Sequence, residues 1–281
     1  MIDLKESKPN NENVHRIKSV RANLDSLREN GLKRGDHVGF DNFHKKYSVK
    51  KGSMTFIIAS PAVGKTAILY EVLLNLAEHS DYRIAIFSPE GGSPTDLYAE
   101  RLWARLRKPY LRHDIPNFNP DNKRDDIALG SFLTRVRKFS SEKNIHTFIA
   151  IHTKAMQMLT KKREDGTMML YYPQPTFFDT MGGMMWSRKG YMVMSLWRPP
   201  IELINPDTDL PYERNETIIQ ILKVKPKIMG AVGRISLFYD NMSSRFYEKD
   251  AFGEKQFSRD ILAHEKKVKP VKQEEIEFKT K

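Results

Sequence analysis

The sequence predicts an α/β fold in which a mostly parallel central sheet, flanked by helices, is organised around a phosphate-binding loop. Three observations carry that prediction. The apolar run Met54-Thr55-Phe56-Ile57-Ile58-Ala59 has the character of a buried strand, turns through Ser60-Pro61-Ala62-Val63 into Gly64-Lys65-Thr66, and leads into an amphipathic stretch over 67–79. A second apolar strand over 82–88 ends in Pro89-Glu90, and a third over 145–152 ends in His152. Strands alternating with helical segments build a parallel sheet with helices on its faces.

Strand, tight loop, Gly-Lys-Thr and helix form the layout of a P-loop. Backbone N–H groups of the loop and first helical turn point at phosphate oxygens, and the helix dipole favours negative charge there. The nucleotide-binding residues are therefore Ala59, Ser60, Pro61, Ala62, Val63, Gly64, Lys65 and Thr66, with Ala59 where the strict pattern has Gly. Lys65 reaches the β- and γ-phosphates, and the Thr66 hydroxyl holds Mg²⁺. The cofactors that follow are ATP, or another nucleoside triphosphate, and Mg²⁺. Glu90, at the C-terminal end of its strand, stands where open α/β sheets bind ligands and can polarise the attacking water; a solvated loop Glu is the plainer alternative.

Composition bounds the rest. The 281 residues suffice for one large core or a core with a small appendage, and 47 Lys and Arg against 35 Asp and Glu give a formal net charge of +12. An acidic partner such as nucleic acid suits that balance. With no cysteine, disulfides and thiolate metal sites are excluded. No segment approaches the roughly 20 apolar residues of a membrane span, and Met1-Ile2-Asp3-Leu4-Lys5-Glu6 lacks the apolar core of a signal peptide. A soluble, cytoplasmic protein with no membrane partner is expected.

In chain order, 1–13 are polar. Val14, Ile17, Val20, Leu24 and Leu27 then recur at helical spacing up to Asn30-Gly31, a good C-cap. Residues 1–30 are thus an arm or linker helix, which packs in an isolated domain or docks on a neighbouring subunit in a ring. After Glu90, Ser93-Pro94-Thr95-Asp96 starts a helix whose buried stripe is Leu97, Leu102, Trp103 and Leu106 and which stops at Pro109. Residues 109–124 are loop-like; 127–142 are helical, with Ile127, Phe132, Val136 and Phe139 on one side. A long irregular stretch spans 153–180, and strands follow over 191–198, 217–225 and 234–240, the last two joined by a turn over 230–233. The core domain covers 31–250. Residues 251–281, charged and punctuated by Pro, form a disordered tail.

The stretch from Gly31 through Thr66, GLKRGDHVGFDNFHKKYSVKKGSMTFIIASPAVGKT, resembles the entry to the ATPase domain of DnaB-type replicative helicases, above all the bacteriophage primase–helicases and Twinkle. The resemblance runs from Gly31 to about Tyr247. It implies a RecA-like P-loop NTPase core with a C-terminal β-hairpin. Those proteins open the loop with Ala or Gly and end the second strand in Ser-x-Glu, as Ser88-Pro89-Glu90 does here. The resemblance makes Glu90 the catalytic base and His152 a sensor of the γ-phosphate; a His that merely caps a strand end is the alternative. The segment 175–186, with Gly182-Gly183, resembles one that borders the loops lining the family's central channel. This makes Lys161, Lys162, Arg163, Gly183, Arg188 and Lys189 candidates for contacting single-stranded DNA, where glycine permits close backbone approach and cations meet phosphate; a solvated basic surface is the alternative. The family's Lys-x-Arg, reaching the γ-phosphate held by the next subunit, is matched by Lys223 and Lys225, which keep the charge without the bidentate fork.

One part of the pattern is missing. The family has a further strand between the equivalents of Glu90 and His152, an apolar run ending in the Walker B Asp that orients Mg²⁺. The segment 109–114 is the one candidate, which makes Asp114 the metal-site residue. A site with Lys65, Thr66 and Glu90 but no such Asp binds nucleotide and turns it over slowly. The function implied is an ATP-dependent DNA helicase, translocating on single-stranded DNA during replication as a hexameric ring in a bacterial or phage-infected cell. Priming or loading falls to a separate protein. The alternatives are a RecA-like, filament-forming ATPase and a nucleotide-binding module that unwinds nothing.

Overall fold

The computed structural model describes residues 17–31, 34–80, 82–84 and 125–258. They fall into two units, divided between Arg34 and Gly35. The first contains helix α1, Ile17–Asn30, with Leu24 and Leu27 exposed. It ends as its sequence dictates: Arg28 stands in the last turn, and Gly31 takes φ +67°.

The second unit is built on a seven-stranded sheet. Helix α2 (Asp41–Lys46) precedes strand β1 (Met54–Ala59), which feeds helix α3 (Lys65–His79). Helix α4 (Asp125–Glu142) leads to β2 (Thr147–His152), then to the ribbon of β3 (Leu159–Lys162) and β4 (Met168–Tyr171). A 3-10 turn (Phe177–Asp179) and helix α5 (Met184–Lys189) enter β5 (Met192–Trp197). Short β6 (Ile204–Asn205) and β7 (Leu210–Pro211) come before β8 (Glu216–Val224), β9 (Gly233–Asp240), β10 (Arg245–Lys249) and β11 (Lys255–Phe257). The spatial order is β11-β10-β9-β8-β5-β1-β2. Strand β1 runs parallel to both neighbours, while β5 to β8 and every later pair are antiparallel. The sheet is mixed, parallel at its core.

Strand β1 is buried on both faces, which is why it reads as an unbroken apolar run. Its side chains still alternate. Ile57 and Ala59 face Ala67, Ile68, Val72 and Leu76 of α3, in a core that extends to Phe40, Phe43, Tyr47 and Phe246. Met54, Phe56 and Ile58 face Leu133 of α4 and Trp186 of α5, with the Phe56 and Trp186 rings edge to face at 5.0 Å. At the start of β1 and β2 the imidazole of His146 ties the strands together. Its Nε2 accepts from the Thr55 hydroxyl at 3.0 Å and its Nδ1–H donates to Lys50 O at 2.8 Å. Burial lowers its pKa to about 4.

Three expectations need correction. Residues 153–180 are not irregular: Asp165-Gly166 turns the β3–β4 ribbon, with the Asp165 carboxylate accepting from Thr167 N and Oγ1 at 2.9 and 2.6 Å. The buried stripe of α4 is Leu129, Leu133, Val136 and Ser140, while Phe132 and Phe139 are 41% and 52% exposed. That is a rotation of about one residue, roughly 100°. Residues 251–258 belong to the sheet: β11 pairs with β10, and the Asp250 carboxylate fixes the turn by accepting from Phe252 N and Glu254 N at 2.8 and 2.9 Å. The expected strand over 82–88 is not seen in Tyr82–Ile84, and its remainder, Glu90, the helix from Ser93 and Asp114 lie outside the described residues.

Candidate nucleotide site

The parallel strands end together. Ala59 pairs with His152 of β2 on one side and Leu196 of β5 on the other, so the loop over 60–64 emerges at the C-terminal edge of the sheet. Val63, 8% exposed, pins the loop to the core, while Pro61, Ala62 and Thr66 are exposed. The loop closes by way of positive φ. Ala62 sits at +61°, a conformation that costs a non-glycine residue about 1–2 kcal/mol. Gly64, the N-cap of α3, sits at φ +91°, ψ 14°, and a Cβ there would lie 3.0 Å from Cζ of Phe246. Glycine is needed at 64 both for its backbone and for the ring packed beneath it.

Helix α3 then starts at Lys65, and its first internal bond is Ile68 N to Gly64 O at 3.0 Å. The backbone N–H groups of residues 65–67 precede that bond and have no intrahelical acceptor, which is the arrangement that binds an anion. Lys65 Nζ donates to Nε2 of His152 at 3.1 Å. The acceptor must be unprotonated, so the neutral ring carries its proton on Nδ1. Two side chains predicted separately from the sequence thus meet at one point. Thr66 is exposed and carries one hydroxyl that would serve a cation. The described residues hold no cluster of three His, Asp or Glu able to bind a metal. Mg²⁺ keeps several waters and takes phosphate oxygens, so a single hydroxyl is a fitting share.

Beneath the loop, α3 is fastened to the far strands by groups the sequence did not single out. Glu71, Arg245 and Ser258, each at most 6% exposed, are bonded to one another. Arg245 Nε bonds Glu71 Oε1 at 3.1 Å, Ser258 Oγ donates to Glu71 Oε2 at 2.6 Å, and Arg245 Nη2 donates to Ser258 O and Oγ at 3.2 and 3.0 Å. With both carboxylate oxygens engaged, the buried charges are matched.

The other candidate residues lie elsewhere. Lys223 pairs with Val193, toward the N-terminal end of β5, whereas the loop leaves the opposite end beside Leu196. The strand rises about 10 Å between those two pairings. Lys223 Nζ donates to the carbonyls of Ser187 and Gly190 and so caps the C-terminus of α5. Burial, then the neighbouring Lys225 and Arg137, lower its pKa. Lys225 is exposed. Gly183, φ +46°, is the N-cap of α5; Arg188 is exposed, and Lys189 Nζ donates to Thr134 Oγ1 at 2.8 Å. On the ribbon, Lys161 Nζ donates to Glu202 O at 2.9 Å and Arg163 pairs with the Glu202 carboxylate at 3.1 Å.

No protein-family model and no curated protein matches the sequence. Solved structures do. One, described as an ATPase domain, superposes with a TM-score of 0.53 at 13% identity, over 85% of this chain and 100% of that one. A DnaB-like replicative helicase, described with its interactions with primase, gives 0.46 at 13% identity, over 87% of this chain and 69% of that one. The chain shares its fold with that ATPase domain. No helix among the described residues is long and apolar enough to cross a membrane.

Proposed function

We propose that this chain is an ATP-dependent motor of the DnaB helicase type, moving on single-stranded DNA as a ring, hexameric in the pattern of the family it resembles. The observation that carries the proposal is the contact between Lys65 and His152 beside a glycine-closed loop at a helix N-terminus. In this reading the N–H groups of 64–67 hold the phosphates and Lys65 leaves His152 for the β- and γ-oxygens. The imidazole then faces the terminal phosphate, and Thr66 contributes one oxygen to Mg²⁺. Glu90 acts on the attacking water and Asp114 on the cation. The ribbon that follows His152 carries the cations meant for DNA. Lys225 completes the site of the next subunit, while Lys223 positions α5.

Lys65→Ala tests the centre of this reading. The side chain supplies charge to the ligand and nothing to the core. Calorimetry should therefore show loss of MgATP binding with an unchanged unfolding temperature, and hydrolysis stimulated by single-stranded DNA should vanish. Wild-type ATP affinity in the variant would remove the proposal.

A further inference from the structure

Strand β8 carries one extra residue near its end, and this decides where its lysines point. Val193 pairs with Lys223 but Met194 pairs with Ile221, so Leu222 is a bulge. Ile219 and Ile221 lie in the α3 core, Leu222 packs against the opposite core of Phe56 and Trp186, and Val224 returns to the first. Lys223 and, by the same alternation, Lys225 are thereby turned to the face that α4 and α5 cover. A third cation stands there. Arg137, one residue past Val136 on α4, holds its guanidinium 4.8 Å from the ring centre of Tyr191 and donates from Nη2 to the Tyr191 hydroxyl at 3.2 Å. Lys225 N donates to the carbonyl of the same Tyr191 at 2.9 Å, and Lys223 Nζ donates to Gly190 O at 2.8 Å. Arg137 and Lys225 are both exposed, and neither pairs with a carboxylate among the described residues. The other N–H groups of the Arg137 fork have no acceptor among those residues.

We infer that Arg137 is a second charge delivered to the terminal phosphate held by the next subunit, supplying beside Lys225 the bidentate guanidinium that the hairpin lacks. The inference rests on the reading of the chain as a ring-forming motor in which Lys225 acts across the subunit contact. Ser140, three residues beyond Arg137, is bonded at 2.6 Å to Thr147 at the start of β2, so this end of α4 lies where the parallel strands begin. The phosphate loop leaves where they end, and the six residues of β5 alone put about 17 Å between the two. Arg137 therefore stands with Lys225, away from its own nucleotide. The chemistry is complementary. Lys225 offers phosphate a point charge, whereas a guanidinium offers two parallel N–H groups that match two phosphate oxygens. The Tyr191 ring also holds the guanidinium in place before a ligand arrives, so less side-chain freedom is lost on contact. Lys223, already satisfied by the carbonyls of α5, is left out of the pair.

ATP hydrolysis by the full chain is measured with and without oligothymidylate. Arg137→Lys keeps the charge and removes the fork. It should lower the DNA-stimulated kcat about 10²-fold, less than the loss of a whole arginine finger because Lys225 remains. MgATP binding by calorimetry and the unfolding temperature should match wild type, since the loop and Lys65 of the same chain hold the nucleotide. Two rescues separate catalysis from packing. Lys225→Arg, added to the Arg137→Lys chain, returns a guanidinium to the hairpin and should recover most of the rate. Arg137→Ala chains mixed with Lys65→Ala chains should regain activity that neither has alone, because the intact pocket of one meets the Arg137 of the other. A residue that only packs on Tyr191 is rescued in neither way. If wild type is stimulated by DNA and Arg137→Lys keeps its rate, or if neither rescue restores activity, Arg137 has no part in the site and the motor reading stands on Lys225. If wild type does not hydrolyse ATP in the presence of DNA, both fall.

Discussion

His146 shows how one packed side chain makes stability depend on pH. Its ring is held between the Thr55 hydroxyl and the Lys50 carbonyl, and burial lowers its pKa from 6.5 to about 4. The unfolded chain takes up a proton as pH falls through 6.5 and the folded chain does not until about 4. Stability is therefore full above 6.5, declines as pH falls, and the decline from this group ends near 4. The loss amounts to at most about 3 kcal/mol. Urea midpoints across that window should fall for the wild type. His146→Gln should start lower at neutral pH, having lost the network, and follow a flatter profile. Parallel profiles would show that another group titrates.

At the scale of elements, α3 is bound to β10 by one buried ion pair and one phenyl ring, and the two should respond differently to substitution. Arg245→Ala leaves the Glu71 carboxylate buried without the guanidinium that matches its charge, which costs about 3–5 kcal/mol. The pair Glu71→Leu, Arg245→Met removes both charges and should be much nearer to wild type. Thermal unfolding of the two variants decides; equal destabilisation would mean that packing, not charge, holds the helix. Sequence reading works unevenly at this scale. Strand, loop and helix around Gly64 are legible because their signal is local and continuous. The helix α4 stripe is misread by one residue because Val136 fits both faces, and because Ser140 is buried through its 2.6 Å bond to Thr147 Oγ1, which no apolar count detects. The Glu71 set is invisible, since Glu71 lies 174 residues from Arg245 and 187 from Ser258. Lys223 was legible as a cation but not as the cap of α5, whose carbonyls reach it only through the β5–β8 pairing.

For the molecule as a whole, Lys225 bonds to Tyr191 O before the start of β5, whereas the loop leaves β1 beside Leu196 at the other end of that strand. Under the proposed function a complete site needs two copies. Lys225→Ala should keep MgATP binding but lose DNA-stimulated hydrolysis. Mixing it with Lys65→Ala chains should restore part of the rate, because the intact pocket of one meets the intact lysine of the other. A charge supplied in this way is worth up to about 10³–10⁵ in rate for Arg, and Lys, lacking the fork, belongs at the low end. No recovery on mixing would reduce Lys225 to the exposed end of a hairpin. The Glu71, Arg245 and Ser258 set carries a consequence of another kind. A ribosome delivers α3 long before it delivers β10 and β11. Until Arg245 and Ser258 emerge, the helix that opens on the phosphate loop holds a carboxylate still waiting for its guanidinium and an apolar stripe with no Phe246 to cover it. Nascent chains must wait in that state until Ser258 has been made, 187 residues after Glu71, so the loop is set well after it is synthesised.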